Sequence, residues 1–357
     1  MNRTIHFLAS CGLAAACLAG CGLAVVLVAG CADSFDIDSL HEEAKLSVSC
    51  FPSQSDTTWI EVTHTIPVAK GARKANYQAF LEVEGARIDY KVNGQQRFVG
   101  WKEGKRSQWG EKQQANRYYV VGAHQPGDHV EIRVEADGYH PVQAETRVPY
   151  PQTIDLERVI FTSVYDAVEE ITREVYQLTA TFSDPAETAD YYALRLRCRH
   201  IFERHDAEGK SFSPVQLDTV YNSPRILTSS EPLLQLVTSL DNDFGYSGDF
   251  YQDFSVFTDR TFNGQTYTLH LDMRDYNKFA FDEYLPIEYQ VRLYRITPEF
   301  YSYVKSINDI DNNELAQGGF SMLSPTYTNV SGGVGVVGGY YMTESQWRAA
   351  GFALINN

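Results

Sequence analysis

Two cysteines near the start of the chain each follow a short run of small and apolar residues. Cys21 follows Leu18-Ala19-Gly20, and Cys31 follows Leu27-Val28-Ala29-Gly30. A lipoprotein signal peptidase recognises runs of this kind, and the thiol of the cysteine that it leaves at the new terminus carries the lipid. The chemistry suggested by these residues is therefore acylation of a thiol, which anchors a protein to a membrane without spanning it.

The residues around these cysteines have the pattern of an export signal. Arg3 provides a positive start, and the chain then carries almost no charge up to residue 30, as in the n-region and h-region of a signal peptide. We therefore predict a signal peptide over residues 1–30 and a lipidated flexible tether over residues 31–44. An uncut transmembrane helix is the alternative, since about twenty apolar residues can span a bilayer.

The two cysteines differ in what cleavage would leave on the mature protein. Cleavage before Cys21 leaves the apolar stretch 23–28 in water, whereas cleavage before Cys31 exposes an acidic, polar stretch over residues 32–38. We therefore predict lipidation at Cys31, with Cys21 as the second candidate.

A glycine motif near the other end matches the letters of a dinucleotide-binding fingerprint. Gly333, Gly335 and Gly338 have the G-x-G-x-x-G spacing, whose glycines let a backbone approach a pyrophosphate at the start of a helix. That chemistry needs a following helix and an acidic residue about twenty positions further on in a βαβ unit. The neighbours are strand-like and the sequence ends at Asn357, so we predict a glycine-rich strand or bulge against which another element packs closely, and no cofactor.

Two acidic stretches have the alternating oxygen ligands that hard cations prefer. They are Asp241-x-Asp243 and Asp309-x-Asp311-x-Asn313. Neither has the glycine and the glutamate of a calcium-binding loop. His200 and His205 are five positions apart on a strand-like segment, which places them on opposite faces. We predict no metal site.

The sequence contains no nucleophile motif that we can assign. Neither Gly-x-Ser-x-Gly nor His-Glu-x-x-His occurs, so the common hydrolase signatures are missing. A pair of carboxylates could hydrolyse a glycan, but with 46 acidic residues the sequence alone does not identify one. We predict no catalytic residues and a protein that is not an enzyme.

One segment alternates aromatic and acidic residues among glycine and serine. It extends from residue 241 to residue 254, and Tyr and Phe in such loops give rigid contact area for a sugar or a protein partner. The alternative is a long hairpin whose aromatic side chains lie in the core. The candidate contact residues are Asp241, Asp243, Phe244, Tyr246, Asp249 and Tyr251.

Two cysteines remain in the body of the mature chain. Cys50 and Cys198 could form one disulfide in an oxidising compartment. The alternative is a pair of buried thiols that behave as small hydrophobic side chains.

Length and composition limit the classes of protein to consider. The chain has 357 residues, enough for about two domains with cores of their own. It has a net charge of −16, and it has 23 Tyr and 19 Phe, which favour strands. Nucleic-acid binding needs clustered Lys and Arg, and the sequence has no such block, so we predict no nucleic-acid partner.

Short alternating runs follow the tether. Residues 46–51, 59–63 and 85–92 alternate apolar and polar side chains, as half-buried strands do. Asn93-Gly94 then gives a strong hairpin signal. We predict an N-terminal β-sandwich over residues 45–150, of the immunoglobulin-like or transthyretin-like kind.

The rest of the chain is also mainly strand. Long candidate strands are at residues 174–182, 191–199, 266–273 and 288–296. We predict a larger, sandwich-like C-terminal domain over residues 151–357, and a mainly all-β fold for the whole chain.

One or two short helices interrupt this pattern. Thr297 and Pro298 suit the start of a helix that continues to about Ile307. Thr343 with Gln346 forms a capping-box pattern for a second, small helix that would end at Gly351.

Several segments together resemble a known family. The segment 181–185 followed by Asp190-Tyr191-Tyr192 is similar to its central signature, in which Asn is the commoner residue at the position of Asp190. The stretches 36–38 and 63–68 resemble its beginning, and Asn329 to Tyr340 is the most specific match. The chain resembles, over nearly all of its mature length, the Bacteroidetes lipoproteins grouped as domain of unknown function 4249.

The resemblance implies a location and a neighbour but no catalytic residues. Members of the family are outer-membrane lipoproteins often encoded beside TonB-dependent receptors. We therefore expect a lipid-anchored outer-membrane protein, exposed at the cell surface or, as the alternative, facing the periplasm. We expect it to be a non-enzymatic accessory or binding partner of a TonB-dependent transporter, with an unknown ligand. The alternatives are a structural or adhesive, fimbria-like surface subunit and a hydrolase that acts on glycan or peptide.

Overall fold

The computed structural model describes residues 43–66, 82–104, 116–166, 170–205, 209–210, 214–227, 230–234, 254–273, 287–311 and 326–352. Strands dominate these residues, which contain one α-helix and one 3₁₀ turn, Pro232–Leu234. The predicted mainly all-β fold is confirmed.

The first eight strands form two sheets that face each other across a shared core. One sheet has the order β1-β2-β6-β5 and the other the order β4-β3-β7-β8. Along β3, exposed and buried side chains alternate, so that Ile88, Tyr90 and Val92 point into the core. The strands are β1 (Leu46–Cys50), β2 (Thr57–His64), β3 (Arg87–Val92), β4 (Gln95–Arg97), β5 (Val99–Lys102), β6 (Arg117–Val121), β7 (His129–Glu135) and β8 (Val142–Arg147).

The hairpin predicted from Asn93-Gly94 is confirmed. Val92 pairs with Gln95, and both turn residues have positive φ, 52° at Asn93 and 78° at Gly94. Positive φ at both central residues is what a two-residue hairpin turn matched to the twist of its strands requires.

The later strands build a second sandwich. Its sheets have the orders β13-β15-β10-β9-β20 and β12-β11-β16-β18, with β14 paired to β11 and β19 to β16. The strands of this part of the chain are β9 (Asp155–Asp166), β10 (Ile171–Ser183), β11 (Tyr191–Glu203), β12 (Leu217–Asn222), β13 (Ile226–Leu227), β14 (Ser255–Thr258), β15 (Thr266–Met273), β16 (Glu288–Ile296), β17 (Val334–Val337), β18 (Tyr340–Glu344), β19 (Arg348–Ala349) and β20 (Gly351–Phe352).

Aromatic contacts fix how the two sheets of this sandwich face each other. Phe182 at the end of β10 lies 5.3 Å, between ring centroids, from Tyr192 at the start of β11. Towards the other end, Tyr176 lies 5.1 Å from Tyr289, whose register partner on β11 is Cys198. Strands β10 and β11 therefore run in opposite directions across the core and meet at one corner.

The helix predicted to begin at Pro298 is confirmed and is labelled α1 (Pro298–Asp311). The hydroxyl of Thr297 accepts a hydrogen bond from the backbone N–H of Phe300 at 3.4 Å, as an N-cap does. Phe300 and Val304 are buried, so the helix packs one apolar face on the strands. Neither this helix nor the 3₁₀ turn, the helical elements of the described residues, has the length and apolar character needed to cross a bilayer.

The second predicted helix is wrong, because the segment around Thr343 is strand β18. Its residues pair with β16, and Thr343 is opposite Leu293. The hydroxyl of Thr343 donates to the backbone carbonyl of Gln152 and does not cap a helix. Pairing with a long neighbouring strand outweighs the local capping signal, since helix stability in proteins comes mostly from packing.

Strand β17 lies in the first sandwich, although it comes from the far end of the sequence. It pairs in parallel with β1, so that Val48 is opposite Gly335. A Cβ added to Gly335 would lie 2.2 Å from the carbonyl oxygen of Val48, and one added to Gly333 would lie 2.4 Å from that of Leu46. The predicted glycine-rich strand, against which another element packs closely, is confirmed, and that element is β1. The domain boundary predicted between residues 150 and 151 does not separate all strands, because β17 follows this boundary in sequence but pairs with a strand that precedes it.

The side chain of Asn329 extends the pairing of β17. Its amide donates to the carbonyl of Val337 at 2.8 Å, and its oxygen accepts from the N–H of Val337 at 2.9 Å. One side chain thus takes the place of a neighbouring strand's backbone.

Candidate functional site

Two groups of predicted site residues, the lipidation cysteines and the aromatic and acidic contact residues, are not among the residues that the structure describes. The lipidation candidates Cys31 and Cys21 lie outside the described residues, and so do residues 241–253 of the aromatic and acidic segment. Its last residue, Phe254, is described and is buried. The loop residues concerned are Asp241, Asp243, Phe244, Tyr246, Asp249 and Tyr251. These assignments stay predictions.

Of the two alternatives for Cys50 and Cys198, the disulfide is not formed. Cys50 and Cys198 are both thiols, and they lie in two different hydrophobic clusters, one in each sandwich. Burial raises the pKa of the Cys50 thiol, so it stays in its neutral form and packs as a small apolar side chain. The alternative of two buried thiols describes this structure.

The densest group of buried charges lies at the corner where β10 meets β11. Asp184 follows β10, Asp190 precedes β11, and Asp259 follows β14. All three are buried, and one carboxylate oxygen from each lies within 4.8 Å of the others. We call this group, with Arg295 of β16, the acidic corner.

Two of these carboxylates accept hydrogen bonds from strands and turns on both sheets. Asp184 accepts from the hydroxyl of Tyr192 at 2.5 Å and from the N–H of Gly264 at 2.9 Å. Asp190 accepts from Nε of Arg295 at 2.9 Å and also from its Nη2, and from the hydroxyl of Thr188 at 2.9 Å.

The third carboxylate connects the turn after β14 to the start of β11. Asp259 Oδ2 accepts from the backbone N–H of Asp190 at 2.7 Å and from the side-chain amide of Asn263 at 3.1 Å. The same amide donates to the carbonyl of Thr188 at 3.0 Å. The corner therefore joins loops that are far apart in sequence.

The electrostatics of the corner follow from its burial. Burial raises the pKa of Asp184, with the nearby carboxylates of Asp190 and Asp259 acting in the same direction. Burial and the hydrogen bond to Asp184 raise the pKa of Tyr192, so this hydroxyl stays protonated and acts as a donor. The guanidinium of Arg295 supplies positive charge among three carboxylates.

Five of the six carboxylate oxygens in the corner accept a hydrogen bond from a protein donor. Hard cations bind clusters of carboxylate oxygens. Here, however, the guanidinium of Arg295 and the neutral donors already form hydrogen bonds to these oxygens, and the guanidinium offsets part of their negative charge. Carboxylates whose oxygens are bonded to their own protein hold strands in position and do not present a reactive oxygen to a substrate. We interpret the corner as a structural clamp.

Sequence reasoning reached this corner only in part. Asp184 and Asp190 belong to the segment that carries the family resemblance, but their role was not assigned. Asp259 and Arg295 were missed, since a charge at a strand end is common and only the pairing of β11 with β14 and β16 brings them together.

An open groove of about 700 Å³ lies on the outer face of β3, β7 and β8. Charged side chains of both signs line it, among them Asp89, Arg133 and Glu145, together with Tyr327 and Asn329 from the segment before β17. The surface suits a hydrated polar ligand more than an apolar one.

Comparison with known protein families matches residues 33–346 to the family described as domain of unknown function 4249. No curated protein matches the chain in sequence.

Proposed function

Because the chain belongs to the family described as domain of unknown function 4249, we propose that it is a lipid-anchored outer-membrane protein. Its role is that of a non-enzymatic accessory subunit of a TonB-dependent transporter at the cell surface. The acylated residue is Cys31.

The position of the family match carries this proposal. The match begins at residue 33, two positions after Cys31 (33 − 31 = 2) and twelve after Cys21 (33 − 21 = 12). Cleavage before Cys31 keeps the whole matched region and leaves no apolar stretch in front of it. A lipid at this position ties a folded body to the bilayer through a short tether.

The acidic corner supports a role without catalysis. A general acid or base needs an oxygen that reaches the substrate, whereas the carboxylates of Asp184, Asp190 and Asp259 are buried and bonded to their own protein. The polar groove on the first sandwich is compatible with ligand capture beside a transporter.

The test is co-purification from the native bacterium. The tagged full-length chain is extracted with the outer membrane in mild detergent and isolated through its tag, and its partners are identified by mass spectrometry. Cys31→Ser removes the acylated thiol, and Cys21→Ser is the matched control inside the signal peptide.

We expect the wild type and Cys21→Ser to bring down a TonB-dependent barrel protein in near-stoichiometric amount. We expect Cys31→Ser to leave the outer-membrane fraction and to lose this partner. Recovery of the wild-type chain without any barrel protein would contradict the proposal.

A further inference from the structure

Three arginines lie on the outer face of β11, and a fourth lies beside them on β16. Arg195, Arg197 and Arg199 alternate with buried residues, so their side chains point away from the core of the sandwich. Arg292 is directly opposite Arg195. We call these four side chains the arginine row. Because the whole chain has a net charge of −16, four cations on one face of a sheet are opposite in sign to the chain as a whole.

The protein supplies a carboxylate at one end of the row but not in its middle. Arg199 is opposite Glu288 in the register, and its Nε lies 2.5 Å from the carboxylate oxygen of Glu288. Arg197 is opposite Gln290, whose side chain is a neutral amide. At the position of Arg197 the row therefore lacks the negative charge that its neighbour has.

The other end of the row brings two like charges together. Arg195 and Arg292 are directly opposite each other, and like charges in that position are unfavourable. Nη2 of Arg292 bonds Glu344 at 2.7 Å, but its Nε is buried and has no hydrogen-bond partner among the residues that the structure describes. An anion bound at the row would reduce the repulsion.

Aromatic rings hold the guanidinium of Arg197 in place. It lies 4.0 Å from the ring centroid of Tyr221 and 5.7 Å from that of Trp347, and the guanidinium of Arg199 lies 4.5 Å from the Trp347 centroid. Contacts of this kind are attractive, but they leave the N–H donors unused. In the described part of the chain no carboxylate forms an ion pair with Arg197. Its planar fork of donors is therefore positioned and open to a ligand.

We propose that Arg197, flanked by Tyr221 and Trp347, binds the carboxylate of an acidic sugar, a hexuronic acid residue. A guanidinium pairs with a carboxylate through two parallel hydrogen bonds, and a carboxylate is the group that the row has at Arg199 and lacks at Arg197. Tyr221 is 49% exposed and Trp347 is half-buried, so their rings give the C–H face of the sugar an apolar surface on which to pack.

A sugar fits this surface better than a peptide that carries the same carboxylate. The backbone groups of β11 and β16 bond each other, so the outer face of the sheet offers a ligand side chains alone. A peptide lying there would take its own N–H and C=O groups out of water without giving them backbone partners. The hydroxyls of a small sugar point outward around the ring and keep their water.

The charges around the row also limit the length of the ligand. A carboxylate oxygen of Glu344 lies 3.5 Å from the side-chain amide of Gln290, and Glu288 is two positions before Gln290, so both would repel further carboxylates. One guanidinium without a carboxylate suits one carboxylate. The inference concerns the folded body and depends neither on the lipid anchor nor on the transporter.

Fluorine NMR of fluorotryptophan tests this site, because Trp347 lies in it. The full-length chain in detergent contains four tryptophans, and Trp347→Phe identifies the signal of Trp347. The probe is methyl glucuronide. Methyl glucoside is the matched control ligand, because a neutral hydroxymethyl group replaces the carboxylate.

We expect methyl glucuronide to shift the Trp347 signal until it saturates, and methyl glucoside to leave it in place. The peptide-like probe acetyl-aspartyl amide should bind at least about threefold more weakly than the glucuronide, since it lacks a face that packs on the rings. The absence of a shift with the glucuronide, or the same shift with the glucoside, overturns the proposal. Equal affinity for acetyl-aspartyl amide overturns the assignment to a sugar.

Variants of two arginines locate the binding. Arg197→Gln should raise the dissociation constant at least about tenfold, because it removes the charged donors, and Arg197→Lys should fall between this variant and the wild type, because it keeps the charge and loses the fork. Arg133→Gln in the polar groove is the matched control and should stay within about twofold of the wild type. Unchanged signals of the other tryptophans show that each variant is folded.

Two results with these variants would overturn the proposal. One is an Arg197→Gln chain that binds methyl glucuronide as the wild type does. The other is an Arg133→Gln chain that loses as much affinity as Arg197→Gln, because the ligand would then bind in the groove and not at the arginine row.

Discussion

Arg295 and Asp190 form a buried ion pair that links β16 to the start of β11, although they are 105 residues apart. Their side chains are 11% and 7% exposed. Through Asp190 the pair also reaches Thr188, and the backbone of Asp190 bonds Asp259. One guanidinium therefore holds together three segments that local sequence would not connect.

Asp190→Ala should be strongly destabilising, because it leaves the guanidinium of Arg295 buried without its main acceptor. Removing one partner of a buried ion pair costs about 3–5 kcal/mol. Asp190→Asn keeps an oxygen acceptor and removes one of three neighbouring negative charges, so we expect a change within about 1 kcal/mol. Urea denaturation of both variants measures the two free energies of unfolding.

Equal losses for the alanine and asparagine variants would contradict this account, because they would show that the acceptor oxygen is irrelevant.

Removal of divalent cations should leave the acidic corner intact. Since protein donors already compensate its carboxylates, we expect the midpoint of thermal unfolding to stay within about 1 °C in EDTA and in excess calcium. A calcium-dependent rise in this midpoint would indicate a ligand that binds the native state. If Asp259→Asn abolished that rise, the structural interpretation of the corner would be wrong.

His124 should make the first sandwich sensitive to acid. The ring is buried, its Nδ1 lies 3.2 Å from the carbonyl of Ser53, and its Nε2 lies 2.9 Å from the hydroxyl of Tyr90. Donation from Nδ1 to the carbonyl leaves Nε2 to accept from the tyrosine, so the bonds suit a neutral ring. Burial lowers the pKa of His124, and the charge of Arg97 acts in the same direction.

The sign of the pH effect follows from this lowered pKa. The unfolded chain takes up a proton at His124 near pH 6.5, while the native state resists it. The free energy of unfolding should therefore fall as the pH drops below about 6.5, by at most about 1.4 kcal/mol per pH unit from this group. His124→Gln should flatten this slope between pH 7 and pH 5, and an unchanged slope would contradict the assignment.

Gly335→Ala should weaken the pairing of β17 with β1. Gly335 has a φ of +109°, and its added Cβ would lie 2.2 Å from a carbonyl oxygen, so we expect a loss of about 3 kcal/mol or more. Gly138→Ala is the matched control, because Gly138 has a φ of +84° with nothing within 4 Å. The control should lose only about 1–2 kcal/mol, and equal losses in chemical denaturation would show that close contact at Gly335 is unimportant.

Local patterns in the sequence predicted much of the fold. Alternation of apolar and polar residues placed the long strands, Asn93-Gly94 placed a hairpin, and Thr297 with Pro298 placed the start of α1. Each of these signals depends on side-chain alternation, turn geometry or helix capping among residues within a few positions of each other. The same local reasoning failed at Thr343, where a capping pattern lies in a strand held by β16.

The long-range contacts could not be predicted in this way. Nothing in the alternation of residues 334–337 says that they pair with β1 rather than with a neighbouring hairpin. The acidic corner is similar, since Asp184 and Asp190 are close in sequence but Asp259 and Arg295 reach them only through strand pairing. Strand partners with many residues between them are decided by packing of the whole core.

We propose that acylation of Cys31 fastens this β-sandwich protein to the outer membrane. Mass spectrometry of the amino-terminal peptide of the protein, isolated from the membranes of its native bacterium, tests it most directly. We predict a chain that begins at Cys31 with acyl groups on that residue. A mature chain that begins at Cys21, or one that carries no lipid at its terminus, would contradict the claim.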